Sequence, residues 1–575
     1  MVPWFILLIV LVPFAGALLV LVYPRGRPWI ATGCAAAAAV CALLLLPSAS
    51  ASPTASLHLA GVEVSFVPDG MGLFLTLIAT IIGCLTLIFS ADYMRGEPSQ
   101  GRYYALVLVF IGAMSGLVLS NSLLLMFICW EITALCSYAL ISFHNDDPVA
   151  VAGGIRALVV TQLGGLGLLV GILLVRASLG TDRIDVFMAT AGSLPPSILA
   201  LVAFGFLFAA TAKSAQVPFH IWLPGAMEAP TPISALIHAA TMVNAGVYLV
   251  ARFVPTFALV PGWLGALATL GALTALLGAL MALAANDLKR VLAYSTISQL
   301  GFMMAAVGAG GVFASQYHLL SHAVFKALLF LGAGAVIHAV GTRDLARMGG
   351  LRRQMPFTHI AFMVGALALA GLPGLNGFWS KELILEASAE AGLPWLTVVL
   401  VLTIGLTALY TTRMVWLVFY GQPRGTSHVH DAGPAMRIAL GALVVGTLTT
   451  WLLAGPFAHL LAATLPFHEL HVHADLFGAV LRHPLTWLVV LVAAGGAALW
   501  LARARFGALT GQQVLTRWAA ADFGFAWLND RITRAAESSA EALRHSQTGQ
   551  LNWNVAQLVL GLIIVLAVAA VGASA

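Results

Sequence analysis

The sequence predicts an all-α polytopic membrane protein of about sixteen transmembrane helices. Three observations carry that prediction. Of 575 residues, 61% are hydrophobic and 9% charged, where an ordinary soluble domain is about 25% charged. Apolar runs long enough to span a bilayer, at ~20 residues each, recur from one end of the chain to the other. No polar block is large enough for a soluble domain, so the chain reads as one integral membrane domain.

In chain order the predicted spans are roughly 4–22, 28–47, 71–90, 103–119, 122–142, 150–175, 197–219, 231–254, 262–285, 291–308, 315–340, 357–384, 395–420, 438–462, 485–502 and 552–573. MVPWFILLIV has no basic residue ahead of its apolar stretch and no small-residue cleavage site, so the first span is expected to be retained rather than removed as a signal peptide. With the N-terminus outside, nineteen Lys and Arg fall in inner loops, among them Arg25, Arg102, Lys289, Arg343 and Arg437. Outer loops hold four: Arg176, Arg183, Arg252 and Arg482. This bias predicts an inner (cytoplasmic) membrane protein with both termini outside. The formal charge of +5 is then a topology signal. It gives no reason to expect nucleic acid as a partner. Between the last two spans, residues 503–551 include the amphipathic, basic stretch FAWLNDRITRAAESSAEALRHSQTGQLNW. It is expected to form a short lateral helix on the membrane surface, ahead of a final anchor at 552–575.

The five cysteines, Cys34, Cys41, Cys84, Cys129 and Cys136, lie in apolar segments and form no CxxC pair, so neither iron–sulfur nor zinc ligation is indicated. A Walker loop and a strand-associated GxGxxG are both lacking. No cofactor is expected in this chain, and its energy source is expected elsewhere. His428, His430, His468, His471 and His473 match no standard metal spacing and read as solvated loop groups.

Ionisable residues inside the spans are the informative feature, because a charge near the bilayer centre costs ~2.5–3.5 kcal/mol on insertion scales. They are Glu131 in LLLMFICWEITALCSYAL, Lys213 in FLFAATAKSAQVPFHIWLP, His238 in ISALIHAATMVNAG, and Lys381 with Glu382 in GLNGFWSKELIL. His318, His322 and Lys326 in HLLSHAVFKALLF fall four apart on one helix stripe. The bland readings are a histidine that only bonds a neighbouring helix, as for His338, and a lysine that snorkels to the headgroups, as for Lys381. Glu131 and Lys213, opposite in sign and deep in their segments, are expected to pair.

Helix breakers accompany each lysine: Pro218, Pro224, Pro230 and Pro232 after Lys213, Gly332 and Gly334 after Lys326, and Pro373 with Gly374 before Lys381. Broken helices at membrane depth mark ion pathways in transporters. An amine's proton affinity falls on desolvation and rises when a carboxylate approaches, so small movements of charge can switch it. Lys213 and Lys381 each sit in a broken segment about five helices apart. That spacing predicts two inverted five-helix repeats, 103–254 and 262–420, flanked by N-terminal helices with an outer loop (1–102) and C-terminal helices (421–502).

KSAQVPFHIWLPGAMEAPTPISALIHAATMVNAG, NDLKRVLAYSTISQLGF, HLLSHAVFKALLFLGAG and GLPGLNGFWSKELIL together resemble the antiporter-like subunits shared by respiratory complex I, Mrp-type cation/proton antiporters and membrane-bound hydrogenases. The likeness covers about residues 60–420 and is greatest overall to the distal subunit L of complex I. It implies a switchable Glu131–Lys213 pair with His238 next along a polar axis. It further implies a central relay of His318, His322 and Lys326, an outlet at Lys381 and Glu382, and a mainly structural NDLKR stretch. The sequence departs from subunit L in two places. Gln162 and Gly165 stand where an Arg and an Asp are typical, which, with Ser380-Lys381-Glu382, is closer to Mrp-type and hydrogenase-type members. The lateral segment is also shorter.

The expected function is a proton-translocating membrane subunit of an NADH:quinone oxidoreductase-like assembly, working beside further antiporter-like subunits and not itself a redox catalyst. The alternatives are a subunit of an Mrp-type Na+/H+ antiporter, of an energy-converting hydrogenase or of an inorganic-carbon uptake complex. A passive scaffold is the bland alternative, and it needs no buried Lys or His row.

Overall fold

Proline opens many of the helices and glycine closes several. Pro28, Pro148, Pro196, Pro356, Pro394, Pro434 and Pro484 each lie in a first helical turn, where the missing N–H would have no partner anyway. Gly180, Gly341 and Gly371 cap helix ends with φ of 71°, 73° and 84°, the left-handed conformation that glycine adopts most easily. Asp69, Ser122, Asp147 and Asp287 accept hydrogen bonds from first-turn N–H groups.

The computed structural model divides into two units, Met1–Thr510 and Gly511–Ala575. It describes residues 2–503 except 52–53, 60–61, 425–428, 463 and 465–475, and beyond 503 only scattered positions between 518 and 544. The first unit runs α1 (Val2–Val22), α2 (Arg27–Leu45), β1 (Ala55–Leu59), β2 (Val62–Phe66), α3 (Gly70–Tyr93), α4 (Gln100–Leu119), α5 (Leu123–Ile141), α6 (Pro148–Leu179), α7 (Ile184–Thr190) and α8 (Pro196–Lys213). It continues with α9 (Trp222–Gly225), α10 (Thr231–Ser234), α11 (Met242–Phe257), α12 (Trp263–Ala284), α13 (Leu288–Gly308) and α14 (Val312–Val340). Then come α15 (Pro356–Ala370), α16 (Asn376–Glu390), α17 (Pro394–Val415), α18 (Pro434–Thr449), α19 (Ala454–Ala462), α20 (Leu476–Arg482) and α21 (Pro484–Leu501).

Among the described residues, fourteen helical stretches are long and apolar enough to cross a membrane. They coincide with fourteen of the sixteen predicted spans. The span predicted at 357–384 is present as two half-helices, α15 and α16. The last, 552–573, lies outside the described residues, as do His428, His468, His471 and His473 and nearly all of the lateral segment. The stretch expected to be only an outer loop contains a hairpin: β1 and β2 pair antiparallel from Ala55↔Phe66 to Leu59↔Val62. Its second strand is tied to the connection after α4 by a Phe66↔Ser120 bridge.

Connections that the alternation of helices puts at one end of the bundle do meet there. Ser122 bridges Arg183, and Asp287 bridges Asp344. Two carboxylates cap helices distant in sequence. Asp431 accepts from Phe357 N (2.8 Å) and Thr358 N (3.2 Å) of α15, and Asp92 Oδ2 from Ala435 N (2.8 Å) of α18. Arg252, expected in an outer loop, is instead buried on α11 and pairs with Asp69 at 2.7 Å. Both side chains are under 7% exposed, so losing either would strand a buried charge.

Candidate functional site: a row of buried protonatable groups

α8 ends on Lys213. Between α8 and α10 the helical path is broken, with only the short α9 between them, and local groups take up the freed carbonyls, as burial requires. Gln216 N donates to Thr211 O at 2.8 Å and Trp222 Nε1 to Ala212 O at 3.0 Å. Lys213 is fully buried. Its Nζ donates to Trp130 O at 2.7 Å and sits 4.6 Å from the centroid of the Trp130 ring, a cation–π distance.

Glu131 is the next residue on α5. The structure brings it beside Lys213, but the expected direct ion pair is not closed, because the amine is taken by the preceding carbonyl and ring. Both Glu131 oxygens are buried and lack a hydrogen-bond partner; Lys213 and Gln162 are the polar side chains acting on them. Gly165 makes the space for this carboxylate, since a Cβ there would lie 2.3 Å from Glu131 Oε1.

His238 lies on a π-helical turn, Ala235–Ala240, between α10 and α11. Such turns interrupt the α-helical ladder and recur at functional sites. Thr241 Oγ1 donates to Leu236 O at 2.6 Å and Asn244 Nδ2 to Ala239 O at 3.1 Å, satisfying the carbonyls released. The fully buried His238 ring sits 6.0 Å from Trp222 and 6.4 Å from Phe330, centroid to centroid, with neither nitrogen hydrogen-bonded. Phe330 also lies 6.0 Å from Lys326 Nζ, so the two groups share a wall.

Lys326 is the central residue of α14, and its Nζ donates to Leu292 O of α13 at 3.0 Å. One turn toward the N-terminal end of α14, His322 is buried, its ring 6.3 Å from that of His318. His318 is bonded on both sides: Nδ1 to Ser380 Oγ at 2.9 Å and Nε2 to Gln299 Oε1 at 3.1 Å. Gly332 and Gly334, expected to break this helix, do not. α14 is continuous, and the two glycines instead admit Phe362 and Thr231, which a Cβ would meet at 3.1 and 3.0 Å.

The break between α15 and α16 is real. Gly371 and Gly374 hold φ of 84° and 90°, and a Cβ at Gly377 would lie 2.0 Å from Ala368 O. Lys381 does not snorkel; it is 2% exposed, and its Nζ donates to Leu369 O in the last turn of α15. That half-helix end carries partial negative charge and suits an amine. Glu382 Oε2 accepts from Thr486 Oγ1 of α21 at 3.0 Å, while Oε1 is buried without a partner.

All eight anticipated residues therefore face the interior. Sequence reasoning missed the groups that join them, Gln299, Thr486 and the carbonyls of Trp130, Leu292 and Leu369, and named Ser380 only as a mark of family likeness. Gln299 and Ser380 lie within STISQLGF and FWSKELIL, where a polar side chain among apolar ones was a visible signal. His338 is exposed near the C-terminal end of α14, 5.4 Å from Tyr93 and 6.1 Å from His430 between ring centroids. Among the described residues no group of three or more His, Cys, Asp or Glu is placed to hold a metal ion.

Comparison with known proteins gives consistent matches. Residues 120–407 match the family profile described as NADH:quinone oxidoreductase/Mrp antiporter, TM, and residues 56–104 match NADH-Ubiquinone oxidoreductase (complex I), chain 5 N-terminus. NAD(P)H-quinone oxidoreductase chain 5 of Picosynechococcus sp. is 44% identical over 380 residues, 63% of this chain and 57% of that protein. The F(420)H(2) dehydrogenase subunit L of Methanosarcina mazei is 40% identical over 417 residues, 66% of this chain and 62% of that protein. The chain thus spans less than two thirds of these relatives' length. Among solved structures, the Mrp complex from Dietzia sp. DQ12-45-1b superposes with a TM-score of 0.82 at 31% identity, covering 99% of this chain and 63% of that one.

Proposed function

We propose, from the premise that this chain belongs to the NADH:quinone oxidoreductase/Mrp antiporter transmembrane family, that it is a proton-translocating membrane subunit of a complex-I-like assembly. One observation carries the reading: a row of buried protonatable side chains crosses the bundle from Glu131 and Lys213, past His238, to Lys326, His322 and His318, and on to Lys381 and Glu382. A scaffold has no use for such a row, given what each group costs in a bilayer. Three of the lysines donate to main-chain carbonyls rather than to carboxylates. A carbonyl accepts from an amine in either protonation state, so the site can release a proton without losing its hydrogen bond.

In this reading a partner alters the Glu131–Lys213 contact, the change in charge is felt along the row, and Lys326 passes a proton through His322 and His318 toward Lys381. Glu382, beside Thr486 at the outer end, is the exit. The electron chemistry belongs to partner subunits, and further antiporter-like subunits sit beside this one. The units 103–254 and 262–420 act as paired inverted halves, a reading supported by the lysine at each break. The chain lies in the inner (cytoplasmic) membrane with both termini outside, as the distribution of Lys and Arg supports.

Replacing Lys326 with Ala in the native complex, reconstituted in liposomes, is expected to abolish proton movement through this subunit while the complex still assembles. Normal pumping would sink the idea. The likeness to the Mrp complex over nearly the whole chain favours a second reading, a cation/proton antiporter subunit. Sodium-dependent proton flux unaffected by electron-transfer inhibitors would select it. Identifying the co-purifying subunits separates the two: flavin or iron–sulfur proteins mean a redox pump, and only small membrane proteins mean an antiporter.

A further inference from the structure

We infer that Lys289 is a proton carrier at the inner mouth of the row, the group through which protons from the inner side reach His238; this rests on the translocation reading above. Its NDLKR stretch reads in sequence as a structural loop. The structure buries Lys289 almost completely, at 3% exposure, on the first turn of α13. Its Nζ donates to the backbone carbonyl of Ala229, in the non-helical approach to the broken span that carries His238.

Around it stands a polar mouth. Arg343, from the connection after α14, grips Glu228 with two nitrogens at 2.9 and 3.1 Å, and its Nε lies 3.2 Å from Asp287 Oδ2. Arg290 lies 3.9 Å from Glu228. These four side chains are between 12% and 49% exposed, so the mouth is open to water where Lys289 is not. Both carboxylates are held by arginine, and no ion pair to Lys289 is formed among the described residues.

On its inward side, His238 lies two helical turns beyond Thr231, with both ring nitrogens unbonded, and Lys289 is the charged group that acts on it. The transfer balances simply. The Lys289 ammonium gives one proton to the His238 imidazole, directly or through water, and the neutral amine takes one back from the inner aqueous phase through the mouth. Lysine suits this place because its four-carbon stem is flexible and its ammonium can deprotonate, which a guanidinium in a protein does not.

Lys289→Arg and Lys289→Gln in the intact complex test this against a structural role, because both keep a donor for the Ala229 carbonyl. Proton translocation in liposomes is expected to fall in both to the level of a Lys326→Ala control while assembly is preserved. Normal translocation in either variant, beside a dead Lys326→Ala control, would overturn the role of Lys289 alone. Normal translocation in the control would overturn the functional reading itself. Failure of both Lys289 variants to assemble would mark the residue as a fold element and equally overturn the inference.

Discussion

His318 is bonded to Ser380: its Nδ1 lies 2.9 Å from the Ser380 Oγ. This contact joins α14, which carries the central lysine, to α16, whose next residue is Lys381. It turns two clusters of the sequence into one path. A hydroxyl can accept a proton from one side and donate one to the other, so Ser380 has the chemistry to join the proposed path.

Ser380→Ala should therefore lower proton flux by about tenfold, equivalent to roughly 1.4 kcal/mol of added barrier. Ser380→Thr keeps the hydroxyl and should retain most of the flux. Flux measured in liposomes with the native complex checks this, and equal rates in the Ala variant and the native protein would remove Ser380 from the path.

Gly165→Ala should uncouple the subunit. The added methyl would sit 2.3 Å from Glu131 Oε1, and overpacking of this kind costs about 1–3 kcal/mol unless the carboxylate moves away. Moving it away from Lys213 is the expected result, seen as lost translocation in an assembled complex. Gly192→Ala, where an added Cβ meets nothing within 4 Å, is the control and should be silent.

Thr486→Val should slow proton release at the outer end. It deletes the hydroxyl that donates to Glu382 at 3.0 Å with almost no change of shape. The carboxylate would lose its one hydrogen-bond donor there, at a cost of about 1–3 kcal/mol for an unsatisfied buried group. Thr486→Ser should restore release, and a Val variant with native kinetics would place the exit elsewhere.

Asp431 supplies a pH-dependent element outside the membrane spans. Burial opposes its charge, but hydrogen bonds from Thr358 and from the N–H groups of Ala432, Phe357 and Thr358 outweigh burial and hold its carboxyl below the usual range. A carboxyl depressed in the folded state stabilises above its unfolded pKa of ~3.9 and loses that contribution as pH falls through the folded value. Asp431→Asn should weaken the start of α15 by about 0.3–1 kcal/mol at neutral pH. The difference should vanish in acid, as read by amide hydrogen exchange at residues 357–361.

The legibility of these features follows their chemistry. A Lys, His or Glu in an apolar run stands out wherever the chain folds, so all eight buried protonatable residues are legible in the sequence, as are fourteen of the spans and the break before Lys381. Partners were not visible, because Trp130, Leu292 and Leu369 act through carbonyls that every residue possesses. Glycine is ambiguous in sequence: beside Lys381 it breaks a helix, and at Gly332 and Gly334 it lets neighbours come close. The burial of Lys289 is not legible either, because a basic residue in a loop stretch carries no local mark of the segment, here Ala229, that covers it.

What the sequence determined by itself was membrane residence, the order of the fourteen spans found among the described residues and the identity of the costly groups, because hydrophobic length and the expense of buried charge are local properties. What tertiary structure alone decided was connection. It set Lys213 on a carbonyl instead of on Glu131, joined His318 to Ser380 across two helices, and opened a glycine-sized space for a carboxylate. Those contacts depend on which helices pack together to within a few ångströms, and residues separated by tens of positions carry no local mark of that.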